Sequence, residues 1–318
     1  MLEKILETLK KTSSYISGEE LSDRLKITRQ ALWKHIHELK GLGYDIVAVP
    51  HLGYKFISSP DRLFPFEVNY QLNTKVMGKR IYYFESVSST MDIAAQLGMQ
   101  GLLEGTLVLA ETQTKGRGRL GRFWLSPKYK GIYLSLILRP KMQPNCIAML
   151  TLLSAVSICE AIKDKLDLEP MIKWPNDIMI RNKKLGGILT ELNAEADRIN
   201  FVIIGIGLNI NNDKKSLPES ATSIKEQIHQ HVNRITVLQE LLRRLETNYL
   251  VFQKQGSYPI IKRWRQFSLT LGKRVKIISQ KMHLEGQAVD IDVDGGLLLR
   301  KDSGLIEKVL AGDIIHLR

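Results

Sequence analysis

The sequence predicts a multidomain α+β protein, and three observations along the chain support this. Residues 1–60 combine helically spaced leucines and isoleucines with a short strand pair. Residues 66–267 mix short apolar segments, typical of strands, with longer helical patterns. Residues 270–318 contain only short strand patterns separated by turns. We therefore expect three domains with these boundaries in the chain of 318 residues.

The pattern of residues 1–60 predicts a winged helix-turn-helix. Apolar residues at helical spacing indicate a first helix near the N-terminus, a second that begins after Ser17 and a third that Thr28 caps. A strand pair at 44–49 and 54–57 follows the third helix directly. In helix-turn-helix proteins the later helix enters the major groove of DNA, so we expect the same of this third helix.

DNA contacts are predicted within the segment Gly18 to His37. Its exposed side chains are of types that hydrogen-bond to base edges and phosphates, whereas the alternative role is a helical protein-interaction module. The candidates are Thr28, Arg29, Gln30, Lys34 and His37. Residues 1–60 contain nine basic and seven acidic residues, a net charge of +2. We therefore expect one copy to bind DNA weakly and a dimer to be needed on an operator.

Residues 66–267 are predicted to form a mixed or mostly antiparallel sheet with segregated helices, because the order is not a strict βαβ repeat. Strands are predicted at 80–85, 106–112, 132–139, 171–180, 185–192 and 200–210, and helices at 90–99, 146–166 and 236–255. The final region is predicted to be a small SH3-like barrel, with turns at 285–286, 294–296 and 303–304.

A loop that alternates glycine with arginine, residues 116–122, is the most informative local feature. Six basic residues and no acidic residue lie between 115 and 130. Glycine lets the backbone approach a ligand closely, and guanidinium groups bind phosphate through paired hydrogen bonds, so a nucleotide phosphate is expected here. The glycine spacing also fits a dinucleotide fingerprint, but the helix and acidic residue which that motif requires do not follow. Walker A and protein-kinase signatures are absent from the sequence.

A second segment, Lys173-Trp174-Pro175-Asn176-Asp177 followed by Lys183 and Lys184, places an amide, a carboxylate and two lysines around a strand. The apolar run 185–189 follows Lys184, so its cation lies at the entry of a buried strand and can reach a carboxylate or phosphate. A solvated lysine and a turn-capping Asp177 are the alternatives. Together the two segments indicate chemistry on an activated phosphate ester.

Charge and cysteine content limit the classes of binding partner and the cellular compartment that we expect. The net charge of +13, from 46 basic and 33 acidic residues, favours nucleic acid, nucleotides or acidic proteins, although an ordinary basic protein has a similar balance. Cys146 and Cys159 form no C-x-x-C pair, which argues against a zinc site and a disulfide framework, and no metal ligands are identified. With no secretory core at the N-terminus and no apolar run approaching 18 residues, we expect a cytoplasmic protein without a membrane partner.

Four motifs then resemble those of bifunctional biotin protein ligases that double as repressors of the biotin operon. They lie in the family's order at 116–124, 173–177, 184–189 and 205–209. The resemblance covers essentially the whole chain, in the order winged helix, catalytic domain and small barrel. It implies that the central domain is a mixed-sheet ligase domain similar to class II synthetases.

The resemblance implies an ATP-dependent, AMP-forming ligase with biotin as substrate and Mg²⁺ as cofactor. Biotinyl-5′-AMP would form first, and biotin would then pass to a lysine of the biotin carboxyl carrier protein of acetyl-CoA carboxylase. A homodimer formed with biotinyl-adenylate bound would occupy operator DNA and repress genes of biotin synthesis and uptake. Two alternatives stay open: a ligand-sensing transcription factor without ligase activity, and a lipoate-type ligase.

The resemblance also assigns site residues. The catalytic residues are expected to be Lys184, Arg119 and Asp177. Biotin is expected to contact Ser89, Thr90, Met91, Gln113, Gly116, Arg117, Gly118, Arg119, Lys184 and Gly187. The nucleotide is expected to contact Arg119, Arg122, Trp124, Asn176, Lys184 and Asn209. The family commonly has Asn where this chain has Met91, so a polar side-chain contact is not expected there, whereas a backbone contact stays open. Helix capping by Ser89 and Thr90, and core filling by Trp124, are the alternative roles.

Overall fold

The computed structural model describes residues 1–195, 198–278 and 283–317. The chain divides into two compact units, Met1–Arg62 and Leu63–Arg318. The predicted central and C-terminal domains therefore belong to one compact unit. Within the predicted C-terminal domain, residues 279–282 and 318 lie outside the described part of the chain.

The first unit is a helix-turn-helix followed by a hairpin, as predicted. Its elements in chain order are α1 (Leu2–Lys11), α2 (Gly18–Leu25), α3 (Arg29–Gly41), β1 (Asp45–Val49) and β2 (Gly53–Ser58). Leucine and isoleucine side chains from all three helices are buried together, because their spacing places them on one face of each helix.

Caps and one glycine fix the geometry of this unit. The hydroxyl of Ser17 accepts a hydrogen bond at the start of α2, and that of Thr28 accepts one from the Ala31 N–H at the start of α3, which confirms the predicted cap. Gly53 has φ +103°, and a Cβ there would lie 2.0 Å from the carbonyl oxygen of Ile16. Only glycine therefore lets the hairpin pack against the segment before α2.

The second unit is built on a mixed sheet of seven described strands, which confirms the predicted sheet class. The strands are β3 (Ile81–Phe84), β4 (Leu107–Ala110), β5 (Gly131–Leu138), β6 (Met171–Lys173), β7 (Asp177–Ile180), β8 (Lys183–Glu195) and β9 (Arg198–Asn209). Their order is β3-β4-β5-β9-β8-β7-β6; the β3–β4 pair is parallel and the other pairs are antiparallel.

Helices cover this sheet and supply most of the remaining core. They are α4 (Pro65–Asn69), α5 (Thr90–Met99), α6 (Ala148–Leu166), α7 (Ile224–Ile228), α8 (Arg234–Gln255) and α9 (Tyr258–Phe267). Helix α6 packs against α8, α9 and the sheet. No apolar run near 18 residues was expected, but the stretch Pro144–Leu166 is long and apolar enough to meet a membrane-span criterion. However, 67% of its apolar window is buried inside the protein. It therefore has the position of a core helix.

The C-terminal part of the second unit is an antiparallel sheet. Its strands are β10 (Arg274–Ile278), β11 (His283–Ile291), β12 (Leu297–Arg300), β13 (Ile306–Val309) and β14 (Asp313–His316). The order β13-β12-β11-β10-β14 places β13 and β14 at the two edges. Its buried residues join the same hydrophobic core as the large sheet, which explains why both sheets form one unit. The all-β prediction is confirmed, whereas closure into an SH3-like barrel stays a prediction.

Three local predictions differ from the structure. The predicted strand 171–180 is two strands, β6 and β7, with a turn between them that contains Pro175, whose nitrogen has no hydrogen for a strand ladder. The predicted turn at 285–286 is wrong, since both residues lie inside β11. A Cβ on Gly286 would lie 2.4 Å from the carbonyl oxygen of Arg300, so this glycine permits close strand contact. Helix α9 was not predicted.

Candidate active site

The predicted ligand-binding residues converge on one cavity of about 460 Å³ in the second unit. The N-terminus of α5, strands β7, β8 and β9, and the loop 115–125 form its walls; we call this loop the glycine-arginine loop. The predicted residues that line the cavity are Ser89, Thr90, Met91, Gln113, Arg117, Gly118, Arg119, Arg122, Trp124, Asn176, Asp177, Lys184, Gly187 and Asn209. Gly116 lies behind the lining, where its carbonyl oxygen accepts a hydrogen bond from the Trp124 N–H.

A polar cluster is fixed at the start of α5. The Ser89 hydroxyl accepts a hydrogen bond from the Met91 N–H at 3.2 Å, so the capping role considered for Ser89 is observed. Thr90 donates to the Gln113 side-chain oxygen from its N–H at 2.8 Å and from its hydroxyl at 3.0 Å. The Gln113 amide nitrogen donates to the Ser126 hydroxyl at 3.1 Å. These bonds hold small donors and acceptors in fixed positions on the cavity wall.

Met91 supports the wall by packing. Its side chain is buried with Phe201 and Ile203 in a small apolar cluster beside the cavity. A Cβ on Gly205 would lie 2.6 Å from the Met91 sulfur, so Met91 fills the space that this glycine leaves. Because its N–H is bonded to Ser89, the side chain contributes shape and apolar surface at this position.

Arg117 is paired with two carboxylates that the sequence reasoning missed. Its guanidinium donates to Asp92 and, at 3.1 Å, to Glu191. Burial lowers the pKa of Arg117, but the hydrogen bond to Asp92 and the charge of Glu191 outweigh it and raise the net pKa. Arg117 therefore anchors the glycine-arginine loop to α5 and β8 and carries a largely compensated charge.

Arg119 and Arg122 connect the loop to the C-terminal sheet. Arg119 donates to the Asn176 side-chain oxygen at 3.1 Å and to the Gly312 carbonyl oxygen at 3.4 Å. Asp313 lies 3.8 Å from Arg119 and forms an ion pair with Arg122. Burial lowers the pKa of Arg119, while the charges of Asp313 and Asp177 oppose that shift. We call Gly312 and Asp313 with these two arginines the loop latch.

Lys184 presents a fixed cation to the cavity. Its Nζ lies 2.6 Å from Asp177 Oδ1 and 5.7 Å from the centre of the Trp124 ring. Its backbone N–H donates to the Ser220 carbonyl oxygen at 2.8 Å, and its carbonyl oxygen accepts from the Thr222 N–H at 2.9 Å. The start of β8 is therefore held on both sides, and the ammonium group stays partly exposed to the cavity.

Trp124 lies over two glycines of neighbouring strands. Gly187 and Gly207 are directly paired in the β8–β9 register, and a Cβ on Gly207 would lie 2.5 Å from the indole ring. The indole nitrogen is buried and has no hydrogen-bond partner among the described residues. An unpaired buried donor is costly, so this group is suited to a ligand acceptor. Nearby, Asn209 donates to the Thr222 carbonyl oxygen at 3.1 Å.

The polar groups of the cavity suit a metal ion that arrives with phosphate. Among the described residues no cluster of three or more histidine, cysteine, aspartate or glutamate side chains forms a metal site. Asp177 supplies one carboxylate, with Oδ1 buried beside Lys184. Mg²⁺ is commonly held by one or two carboxylates and substrate phosphates, so this single carboxylate fits such an ion.

The predicted DNA-binding residues all lie in the first unit. Thr28, Arg29, Gln30, Lys34 and His37 are exposed at the start and along the outer face of α3. Sequence reasoning missed Trp33 on the same face, whose exposed fraction is 59%. The position of Trp33 next to Lys34, outside the Leu32–Ile36–Leu39 core face, was the available signal.

Comparisons with known proteins agree with this arrangement. The biotin/lipoate A/B protein ligase family matches residues 83–209, an HTH domain matches residues 2–55, and the biotin protein ligase C terminal domain matches residues 270–317. The three matches have the same order as the predicted domains.

Curated relatives and a solved structure extend the likeness to nearly the whole chain. The bifunctional ligase/repressor BirA of Bacillus subtilis is 39% identical over 306 residues, 95% of this chain and 94% of that protein. The Escherichia coli protein of the same name is 30% identical over 302 residues, 94% of this chain and 92% of that protein. The biotin protein ligase from Aquifex aeolicus in complex with biotin and ATP has TM-score 0.65 and 32% identity, and covers 76% of this chain and 99% of that chain.

Proposed function

The chain belongs to the family of the bifunctional ligase/repressor BirA, and on that basis we propose that it is an ATP-dependent biotin protein ligase and a biotin-responsive repressor. The observation that carries the ligase function is the cavity in which Lys184, Arg119 and the α5 N-terminus face the same space. The helix-turn-helix of the first unit carries the repressor function.

Biotin binds at the end of the cavity formed by α5 and the glycine-arginine loop. The fixed groups of Ser89, Thr90 and Gln113 match the small ureido ring, which offers both donors and acceptors. The Met91 side chain and the glycines of β9 form an apolar surface against which the aliphatic chain of biotin packs. The carboxylate of biotin then points towards Lys184, whose ammonium group has one carboxylate neighbour, Asp177, and is partly exposed to the cavity.

Lys184 and Arg119 stabilise the adenylation step by charge. The biotin carboxylate attacks the α-phosphate of ATP, a carboxylate–phosphate bond forms, and pyrophosphate leaves. Negative charge develops on the phosphate oxygens, and cations already fixed in place stabilise it without reorganisation. Asp177 positions Lys184 through their 2.6 Å contact, and Asn176 positions Arg119.

Trp124, Asn176 and Asn209 form the nucleotide end of the cavity. The unpaired indole N–H of Trp124 is a donor for the ligand, and its ring offers a stacking face. Mg²⁺ at Asp177 would supply charge neutralisation of the phosphates. Each of these residues is held by backbone or neighbouring side chains, so positioning supplies much of the acceleration.

The second half-reaction needs an acceptor lysine and a protected intermediate. The lysine amine of the biotin carboxyl carrier protein attacks the mixed anhydride, an amide forms, and AMP leaves. No side-chain nucleophile is required. Phe123, Leu125 and Leu217 line the cavity. When the glycine-arginine loop closes over the ligand, these side chains exclude water that would otherwise hydrolyse biotinyl-5′-AMP. This function places the protein in the cytoplasm, with its carrier and its operator.

Repression requires that ligand binding in the cavity changes DNA binding by the first unit, and homodimer formation provides this coupling. A net charge of +2 on residues 1–60 makes a single copy a weak DNA binder. A homodimer that forms with biotinyl-adenylate bound would present two α3 helices to a two-fold operator. Consumption of the adenylate by carrier protein would then release the operator.

A carrier-labelling assay tests the ligase function and separates it from the alternatives. The full chain is incubated with ATP, Mg²⁺, purified biotin carboxyl carrier protein and either biotin or lipoate. We expect a mass increase of the carrier with biotin only. Labelling with lipoate would favour the lipoate-type ligase, and absence of labelling with bound biotin would favour a sensor without ligase activity.

A further inference from the structure

Helix α3 presents a large aromatic side chain to solvent that the ligase chemistry does not use. Trp33 is 59% exposed, whereas Trp174 and Trp264 are buried in the core of the second unit and Trp124 lines the cavity. Burial of an indole contributes substantial apolar stabilisation, so its exposure on a small unit leaves that surface available to a partner.

The orientation of Trp33 is fixed by His37, one helical turn further on. The two rings are stacked, with centroids 5.6 Å apart and an angle of 13° between their planes. Residues at i and i+4 lie on the same face of a helix, so this stacked pair forms an exposed aromatic surface along the outside of α3. We call Trp33 and His37 the aromatic shelf.

The surroundings of the aromatic shelf favour a polyanion that also carries apolar groups. Arg29 precedes Trp33 by one turn on the same face, and Lys34 is adjacent; both are exposed. Glu38, the acidic residue of α3, lies 3.4 Å from His35. An apolar plate bordered by cations is complementary to the major groove of DNA, where phosphates surround the thymine methyl groups.

We propose that the aromatic shelf contacts a thymine C5-methyl group in the major groove and is a specificity-determining element of DNA binding. This inference rests on the proposed repressor function. Arg29, Gln30 and Lys34 supply hydrogen bonds and charge, but none of them recognises the methyl group that distinguishes thymine by apolar contact. The aromatic shelf supplies that missing recognition.

Replacement of thymine by deoxyuridine tests the contact directly. The probe is a DNA duplex selected from a random-sequence pool by the full-length protein with biotin and ATP. Each thymine of one half-site is replaced singly, which removes the methyl group and keeps the hydrogen-bonding edge. For the wild-type protein we expect about fourfold weaker binding at one or two positions, equivalent to the transfer free energy of one buried methyl group.

Variants of α3 assign that effect to a residue. Trp33→Ala should bind the thymine duplex more weakly and lose the sensitivity to deoxyuridine at those positions, whereas Trp33→Phe should retain part of it. Arg29→Ala is the matched control, because it should weaken binding while the sensitivity to deoxyuridine remains. Labelling of the carrier protein should be the same in all variants and shows that each remains folded in the second unit; amide hydrogen exchange of α1, α2 and α3 in the full chain completes that check.

Two results would overturn the inference and leave the DNA-binding function intact. One is wild-type binding that no deoxyuridine replacement changes; the other is a Trp33→Ala protein that keeps the full sensitivity. Wild-type protein that selects no DNA from the pool would overturn the repressor function itself.

Discussion

At the scale of single residues, cations of the cavity that mainly hold the structure together differ from those, such as Lys184, that act on the ligand. Arg117 is enclosed by Asp92 and Glu191, and Arg122 is paired with Asp313. Lys184 has one carboxylate neighbour and a face open to the cavity. Sequence alone shows three similar basic residues; the structure shows that their electrostatic surroundings differ.

Loss of the Lys184 charge should abolish most adenylation. For Lys184→Gln we expect biotin-dependent ATP–pyrophosphate exchange to fall by a factor on the order of 10² or more, since one preorganised charge at the developing anion is removed. Lys183→Gln is the matched control, because Lys183 is adjacent in sequence but does not line the cavity. Near-normal exchange in a folded Lys184→Gln protein would contradict the role of Lys184.

His316 should make the stability of the second unit depend on pH. Burial, together with the charges of Lys273 and Lys173, lowers the pKa of His316 from 6.5 to about 4. Between these values the unfolded chain binds more protons than the folded chain, so stability is full above about pH 6.5 and falls as the pH drops towards 4. Urea midpoints of the full chain at pH 7, 6 and 5 should therefore decrease.

A variant without the imidazole provides the control for that pH dependence. His316→Gln should show a smaller decrease in urea midpoint between pH 7 and pH 5 than the wild type. Parallel decreases in the two proteins would show that other groups, and not His316, cause the loss of stability.

At the scale of structural elements, the loop latch connects parts of the chain that lie far apart in sequence. The glycine-arginine loop contains no acidic residue, and its carboxylate partners come from α5, β8 and the first residue of β14. The latch therefore gives the C-terminal sheet a direct role in holding the loop, beyond its contribution to the core.

Weakening of the loop latch should release the intermediate. For Asp313→Asn we expect adenylate still to form but to escape more readily, so that lysines of unrelated bystander proteins become biotinylated. Arg119→Gly should form adenylate more slowly, because a stabilising charge is lost, but should release a larger fraction of it to bystander proteins. Asp302→Asn is the control, since Asp302 pairs with Arg274 on the protein surface. Bystander labelling by Asp313→Asn at the level of the control would show that the latch does not retain the adenylate.

Local patterns predicted those elements and site residues that depend on nearby sequence. The start of α2 after Ser17, the cap at Thr28, helix α5 and the central strands follow from hydrogen-bonding and apolar periodicity within a few residues. The turn at Pro175 that separates β6 from β7 was missed, because the apolar residues on both sides of it fit one continuous strand pattern.

Contacts that depend on the complete fold could not be predicted in the same way. Asp313 and Arg119 are brought together only when the C-terminal sheet joins the core of the second unit. Similarly, the sequence marks Gly207 and Trp124 as motif residues, but their packing results from the β8–β9 register. These missed features depend on tertiary packing, which short sequence windows do not contain.

At the scale of the whole molecule, ligand binding and DNA binding belong to different compact units. The second unit contains the complete cavity, so a chain that begins at Asp61 should keep carrier labelling and lose DNA binding. The first unit contains the exposed face of α3 but has little net charge. Ligand in the second unit must therefore raise the DNA affinity of the first unit through assembly of two copies.

Thermodynamic linkage makes that requirement measurable. If biotinyl-adenylate favours the dimer and the dimer binds the operator, DNA must favour the dimer to the same extent. Sedimentation should therefore show self-association of the full chain with biotin and ATP, and stronger self-association when operator DNA is added.

The central claim, that one chain joins biotin activation to DNA binding, is tested most directly by a titration of operator DNA with full-length protein in the presence and absence of biotin and ATP. We predict that DNA binding strengthens by about tenfold or more when both are present, the range of typical coupling free energies. Addition of unmodified carrier protein should reverse the gain as the adenylate is consumed. Equal operator affinity in the presence and absence of biotin and ATP would contradict the account, whatever the carrier-labelling activity.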